Sequence, residues 1–77
     1  MKWIVEATDT FGGEANYSWC HRYAIETPND ASDRTLARTF KATAGVTGDR
    51  GRSAWIGETW EFRPYGACVV VFATPNY

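Results

Sequence analysis

A chain of 77 residues makes one domain, 1–77, and at that size folding removes only about 60 to 65% of the unfolded surface from water. Four Trp, four Tyr and four Phe supply the high apolar yield per residue that this demands, since each aromatic buries roughly 150 to 250 Å². A net charge of −1 leaves room for no more than a modest nucleic-acid binder, and no apolar run comes near the roughly 18 residues of a bilayer span, which argues against a membrane protein.

Trp3, Val5 and Ala7 alternate with Lys2, Ile4, Glu6 and Thr8, which predicts a first strand ending near Thr8 with one face buried. Gly12-Gly13, between Asp9 and Asn16, supplies a reversal, and the connection reads as a seven-residue hairpin loop. Alternation returns over residues 16 to 27, with Tyr17, Trp19, His21, Tyr23 and Ile25 on one face and Cys20 and Arg22 on the other. The aromatic set is the better core face, so it is expected under the helix rather than serving as a base-stacking platform. Pro28 stops this strand.

Asp30 or Ser32 can cap a helix over roughly 31–44, in which Leu36, Phe40 and Ala44 recur at i, i+4 and i+8 as the stripe that meets the sheet. Gly45 or Gly48 ends it. Residues 47–52 are a polar loop, followed by strands at Ser53–Ile56, Thr59–Arg63 and Ala67–Ala73, with turns at Gly57-Glu58 and Pro64-Tyr65-Gly66. Trp60 and Phe62 share one face, and Val69–Phe72 is the most apolar strand. The expected architecture is α+β, a single small domain of order β-β-α-β-β-β, with about five antiparallel strands and one helix packed on one face.

Cys20 and Cys68 lack the paired spacing of a zinc site or disulfide framework, and read as free, half-buried thiols of a reducing compartment. His21 is the single histidine, and because neighbours in a strand point to opposite faces it cannot act with Cys20 as base and nucleophile. No carboxylate pair sits in an apolar setting, and Phe11-Gly12-Gly13-Glu14 lacks the lysine and the helix of a phosphate loop. These readings predict no catalytic residue, no metal and no cofactor.

Charge is nonetheless uneven. Residues 1–33 hold six acids against Lys2 and Arg22, whereas residues 34–52 hold Arg34, Arg38, Lys41, Arg50 and Arg52 against Asp49 alone. Helical spacing puts Arg34, Arg38 and Lys41 in a row, and the next loop adds Arg50 and Arg52, a layout suited to phosphates or a carboxylate-rich protein surface. Trp55 or Tyr65 is the expected apolar anchor of such a partner-binding site.

Asp9 to Trp19, together with Arg63-Pro64-Tyr65-Gly66, resembles a group of short phage and prophage reading frames without an established activity. In length, single domain and predicted element order the chain is also similar to small phage-encoded anti-CRISPR proteins that block type I surveillance complexes. That likeness implies a non-enzymatic inhibitor, monomer or homodimer, in the bacterial host cytoplasm. It would bind a host defence protein, a type I CRISPR-Cas subunit, at a surface that handles nucleic acid. A nucleic-acid-binding module using the same basic face and a virion structural or morphogenesis protein are the alternative expectations.

Overall fold

Phe40 is wholly buried, with its ring 4.9 Å edge-on from the Trp3 indole and 5.4 Å from that of Trp60. In the computed structural model, which describes residues 1–77, that contact joins one helix to one five-stranded sheet. The strands are β1 (Lys2–Phe11), β2 (Glu14–Glu26), β3 (Gly51–Ile56), β4 (Thr59–Pro64) and β5 (Val69–Pro75), and the helix is α1 (Asp33–Thr43). All pairings are antiparallel and the strand order is β2-β1-β5-β4-β3, so the expected α+β architecture and element order hold.

Local chemistry sets the helix. Ser32 accepts a hydrogen bond from the Thr35 amide at 3.2 Å as the N-cap, and Gly45, at φ +76, turns the chain out of α1 just past its end. Leu36 and Phe40 lie on the sheet, and Trp3, Val5 and Ala7 of β1, Val71 and Ala73 of β5, and Trp60 and Phe62 of β4 complete the core. β5, in the middle of the sheet, is the most apolar strand as expected, with Val70 and Val71 fully buried.

The first hairpin departs from expectation in a way that matters. β1 runs on to Phe11, and Gly12-Gly13, both at positive φ, close a two-residue turn of the I′ kind. Phe11 pairs with Glu14 and Thr10 with Ala15, but Thr8 pairs with Cys20, so Asn16 to Trp19 arch outward opposite Asp9 alone. Two β1 side chains hold the arch. Thr8 Oγ1 accepts from the Tyr17 amide at 3.0 Å and donates to the Trp19 carbonyl at 3.0 Å. The Asp9 carboxylate accepts from the Ser18 hydroxyl at 2.6 Å, the Ser18 amide at 2.9 Å and the Asn16 side chain at 2.9 Å, and the hydroxyl above all keeps Asp9 far below the ordinary carboxylate range. Tyr17 takes φ 56, a left-handed conformation uncommon for a bulky residue.

The aromatic face of β2 is not in the core. Trp19 is 40%, Tyr23 41% and Tyr17 52% exposed, and only Ile25 of this strand packs against the buried cluster. Register places Ile25, Tyr23 and His21 opposite Trp3, Val5 and Ala7, on the helix side of the sheet, but β2 is an edge strand and α1 does not reach over it. Tyr17 leaves that face entirely, and lines a hollow on the uncovered side with Ile4, Glu6 and Phe72. Both cysteines are exposed rather than half-buried.

Phe40→Ala is therefore expected to cost about 3–5 kcal/mol by chemical denaturation, whereas Trp19→Ala, a larger truncation, should cost less than about 1 kcal/mol.

Candidate functional site

The helix spacing that aligns Arg34, Arg38 and Lys41 turns all three toward one shallow depression of about 410 Å³, floored by Ala37 and Gly48. Lys41 reaches furthest inward. Its ammonium donates to the Asp49 carbonyl at 2.8 Å and lies 4.6 Å from the centre of the Phe62 ring, which ties α1 to the loop before β3. On the other side of Lys41 a groove of about 530 Å³ continues past Arg50 and Gly51 to Tyr65. Tyr65 is held there by its own backbone, whose amide donates to the Arg50 carbonyl at 2.9 Å, while its ring stays 75% exposed. A third hollow of about 480 Å³ extends the strip past Arg50 and Tyr65 to Pro64 and Gly66.

Gly51 makes the close approach of β3 to β4 possible at this point. A Cβ here would press on the Arg63 carbonyl and come within 2.7 Å of the Phe62 ring.

Arg34, Arg38, Lys41, Arg50 and Tyr65 are thus brought together as the sequence suggests, but Arg52 and Trp55 are not. β3 begins at Gly51, so strand alternation already governs residue 52, and Arg52 lies opposite Arg63 on the face away from the helix. Trp55 is five residues past Arg50, roughly 16 Å along the strand, and sits at the other end of the sheet with its ring 6.1 Å from Trp3.

Charge pairing separates the arginines into two groups. Arg22 is bound to Glu6 at 2.6 Å, and Arg63 to Glu61 and the Gly13 carbonyl. Arg34, Arg38, Arg50 and Arg52 make neither an ion pair nor a side-chain hydrogen bond within the chain. Along the strip, Asp49 is the single acidic side chain.

The opposite face of the hairpin carries a second polar group. Burial works against the Glu6 carboxylate, but the hydrogen bond from Arg22, with the Tyr17 phenol on the same hollow, outweighs it and holds the group below its ordinary value. Glu6 in turn pushes the Tyr17 phenol up, and local desolvation with the same carboxylate pushes the Cys20 thiol up. A nucleophilic thiol needs the reverse shift. His21 stands 5.3 Å from Trp19 on the helix side, and Cys68, whose carbonyl accepts from the Thr10 amide beyond β1, lies across a strand from it. No three His, Cys, Asp or Glu side chains converge as metal ligands would.

The exposed Trp19, His21 and Tyr23 are the surface residues that the sequence reading misplaces. Their alternation marks a strand, yet nothing local to it says that the strand is an edge. Comparison with protein families, curated proteins and solved structures finds no match for this chain. No helix is long and apolar enough to cross a membrane.

Lys41→Ala should lower stability by about 1–2 kcal/mol, because it removes a charged hydrogen bond and a cation–π contact, whereas Arg38→Ala should stay within about 0.5 kcal/mol. Thermal denaturation of the two variants checks the division between a structural cation and free ones.

Proposed function

We propose that this chain is a non-enzymatic binding protein that holds an anionic partner along the strip from Arg34 to Tyr65. One observation carries the reading: three arginines without an internal partner line two adjoining hollows that share Ala37, Lys41 and Gly48, beside a largely exposed tyrosine, while Arg22 and Arg63 are consumed within the fold. Guanidinium groups left free in this way suit carboxylates or phosphates, and arginine with tyrosine is the usual composition of a protein-binding hot spot. The mixed lining, with Ala37, Trp60 and Phe62 among the cations, favours a protein surface over a bare phosphate backbone.

The partner's identity rests on the likeness in size and element order to small anti-CRISPR proteins. On that ground the chain is a phage-encoded inhibitor that binds a Cas subunit of a type I effector in the cytoplasm of the bacterial host and blocks DNA recognition. The strip is then the surface that meets the acidic part of that subunit.

Gel filtration of the purified chain with a type I effector complex tests this directly. Co-elution is expected, with loss of binding by about a hundredfold or more in the Arg34→Glu/Arg38→Glu variant, whose fold circular dichroism would show unchanged. Absence of co-elution together with unchanged phage plating on a host carrying the system would overturn the inhibitor reading. Binding to DNA or RNA alone, weakening steeply with salt, would move the strip to a nucleic-acid partner.

A further inference from the structure

The two edges of the sheet are built differently. β3 is six residues long and opens at a glycine, whereas β2, the other edge, is the longest strand at thirteen residues. Edge strands of that length usually carry a device that prevents pairing with another chain. The Asn16 to Trp19 arch is such a device at one end, but from Cys20 to Glu26 the pairing with β1 is regular and unbroken.

Which backbone groups face outward there follows from β1. The Lys2 carbonyl accepts from Asn76 and the Thr10 amide donates to Cys68, so even-numbered residues of β1 turn their backbone groups toward β5 and odd-numbered ones toward β2. Trp3, Val5 and Ala7 therefore bond Ile25, Tyr23 and His21. The N–H and C=O groups of Cys20, Arg22, Ala24 and Glu26 are left pointing away from the sheet.

We propose that this edge pairs with the same edge of a second copy, in an antiparallel two-fold dimer with Tyr23 on the axis and one continuous ten-stranded sheet. Only a register that sets outward-facing residues against each other forms bonds. With Tyr23 on the axis, Cys20 meets Glu26 of the second copy and Arg22 meets its Ala24, which uses every outward group of the regular segment and makes roughly eight ladder hydrogen bonds. Centring on Arg22 would oppose two arginines, and centring on Ala24 would run Cys20 against Pro28, which has no N–H to give.

Charge and apolar surface fit the same register. No like charges stand directly opposite, and Arg22, which keeps its bond to Glu6, has Glu26 and Arg22 of the second copy as its two diagonal neighbours. On the helix side the two Tyr23 rings, each 41% exposed in the single chain, meet at the axis, and each His21 meets an Ile25. The strip from Arg34 to Tyr65 borders β3 and β4, at the other edge of the sheet, so both copies keep it open and the dimer is bivalent. This inference does not depend on what the strip binds.

Ala24→Pro tests it, because proline there removes an outward N–H while residue 24 makes no ladder bond to β1. Sedimentation equilibrium of the wild-type chain should give a dimer, and Ala24→Pro should raise its dissociation constant about tenfold or more through the loss of two ladder bonds and the clash of each pyrrolidine ring with the facing Arg22 backbone. Tyr23→Cys in a Cys20→Ser/Cys68→Ser background reads the register independently of how well the proline variant folds. Residues facing across the axis at a non-bonded pair have Cα atoms about 4.5 Å apart, within disulfide reach, so mild oxidation should link two copies. A wild-type chain monomeric at every concentration, an unchanged dissociation constant in a folded Ala24→Pro variant, or no cross-link would each overturn the proposal.

Discussion

The Phe40 ring between the indoles of Trp3 and Trp60 is the contact on which the architecture depends, because it is where a single helix is fixed to a sheet wider than itself. Eleven residues make a helix about 16 Å long and about 10 Å across, whereas five strands spread their outer members about 19 Å apart. One helix cannot cover that width. The buried cluster accordingly draws on β1, β5 and β4, with only Ile25 of β2 packed against it and nothing from β3. Most of the exposed aromatic and unpaired basic side chains lie on what the helix leaves uncovered or at its own rim.

The arch at Asn16 to Trp19 decides which side chains share the helix's side of the sheet. The two-residue turn alone would pair Thr10 with Ala15 and continue in that register, setting odd-numbered residues of β1 against even-numbered ones of β2. Beyond the arch Thr8 meets Cys20 and Trp3 meets Ile25, so odd faces odd. An odd shift of register exchanges the faces of a whole strand. It brings Ile25 to the core and Arg22 to Glu6, and it leaves Trp19, His21 and Tyr23 on the helix side of an edge that the helix does not reach. Thr8 and Asp9, with their hydrogen bonds to Tyr17, Ser18 and Asn16, keep the shift in place.

Much of this was legible in the chain itself. Ser32 and Gly45 bound the helix, the Leu36 and Phe40 stripe marks its buried face, and alternation in Trp3, Val5, Ala7 and in Trp60, Phe62 identifies two core strands, because each of these signals is local. The basic row Arg34, Arg38 and Lys41 was legible for the same reason, as a consequence of helical period. What failed was non-local. Alternation in β2 says that its two faces differ and not which of them is covered, since coverage depends on strand order and on the reach of α1. Arg52 departs from the expected loop because β3 begins two residues earlier than the glycine-rich pattern suggests, and inside a strand the pleat sends residue 52 to the face opposite Ser53.

The difference between the two edges follows from the same constraint. The strip from Arg34 to Tyr65 exists because α1 ends near β3 and β4 and its rim residues find no acid to pair with except along the loop, and the free edge of β2 exists because the helix stops short of it. A two-dimensional nuclear Overhauser spectrum with aromatic assignments tests that partial cover most directly. Cross-peaks are expected from the Phe40 ring to the Trp3 and Trp60 indoles and none to Trp19 or His21; cross-peaks between Phe40 and Trp19 would mean that the helix covers β2, and would contradict the partial cover.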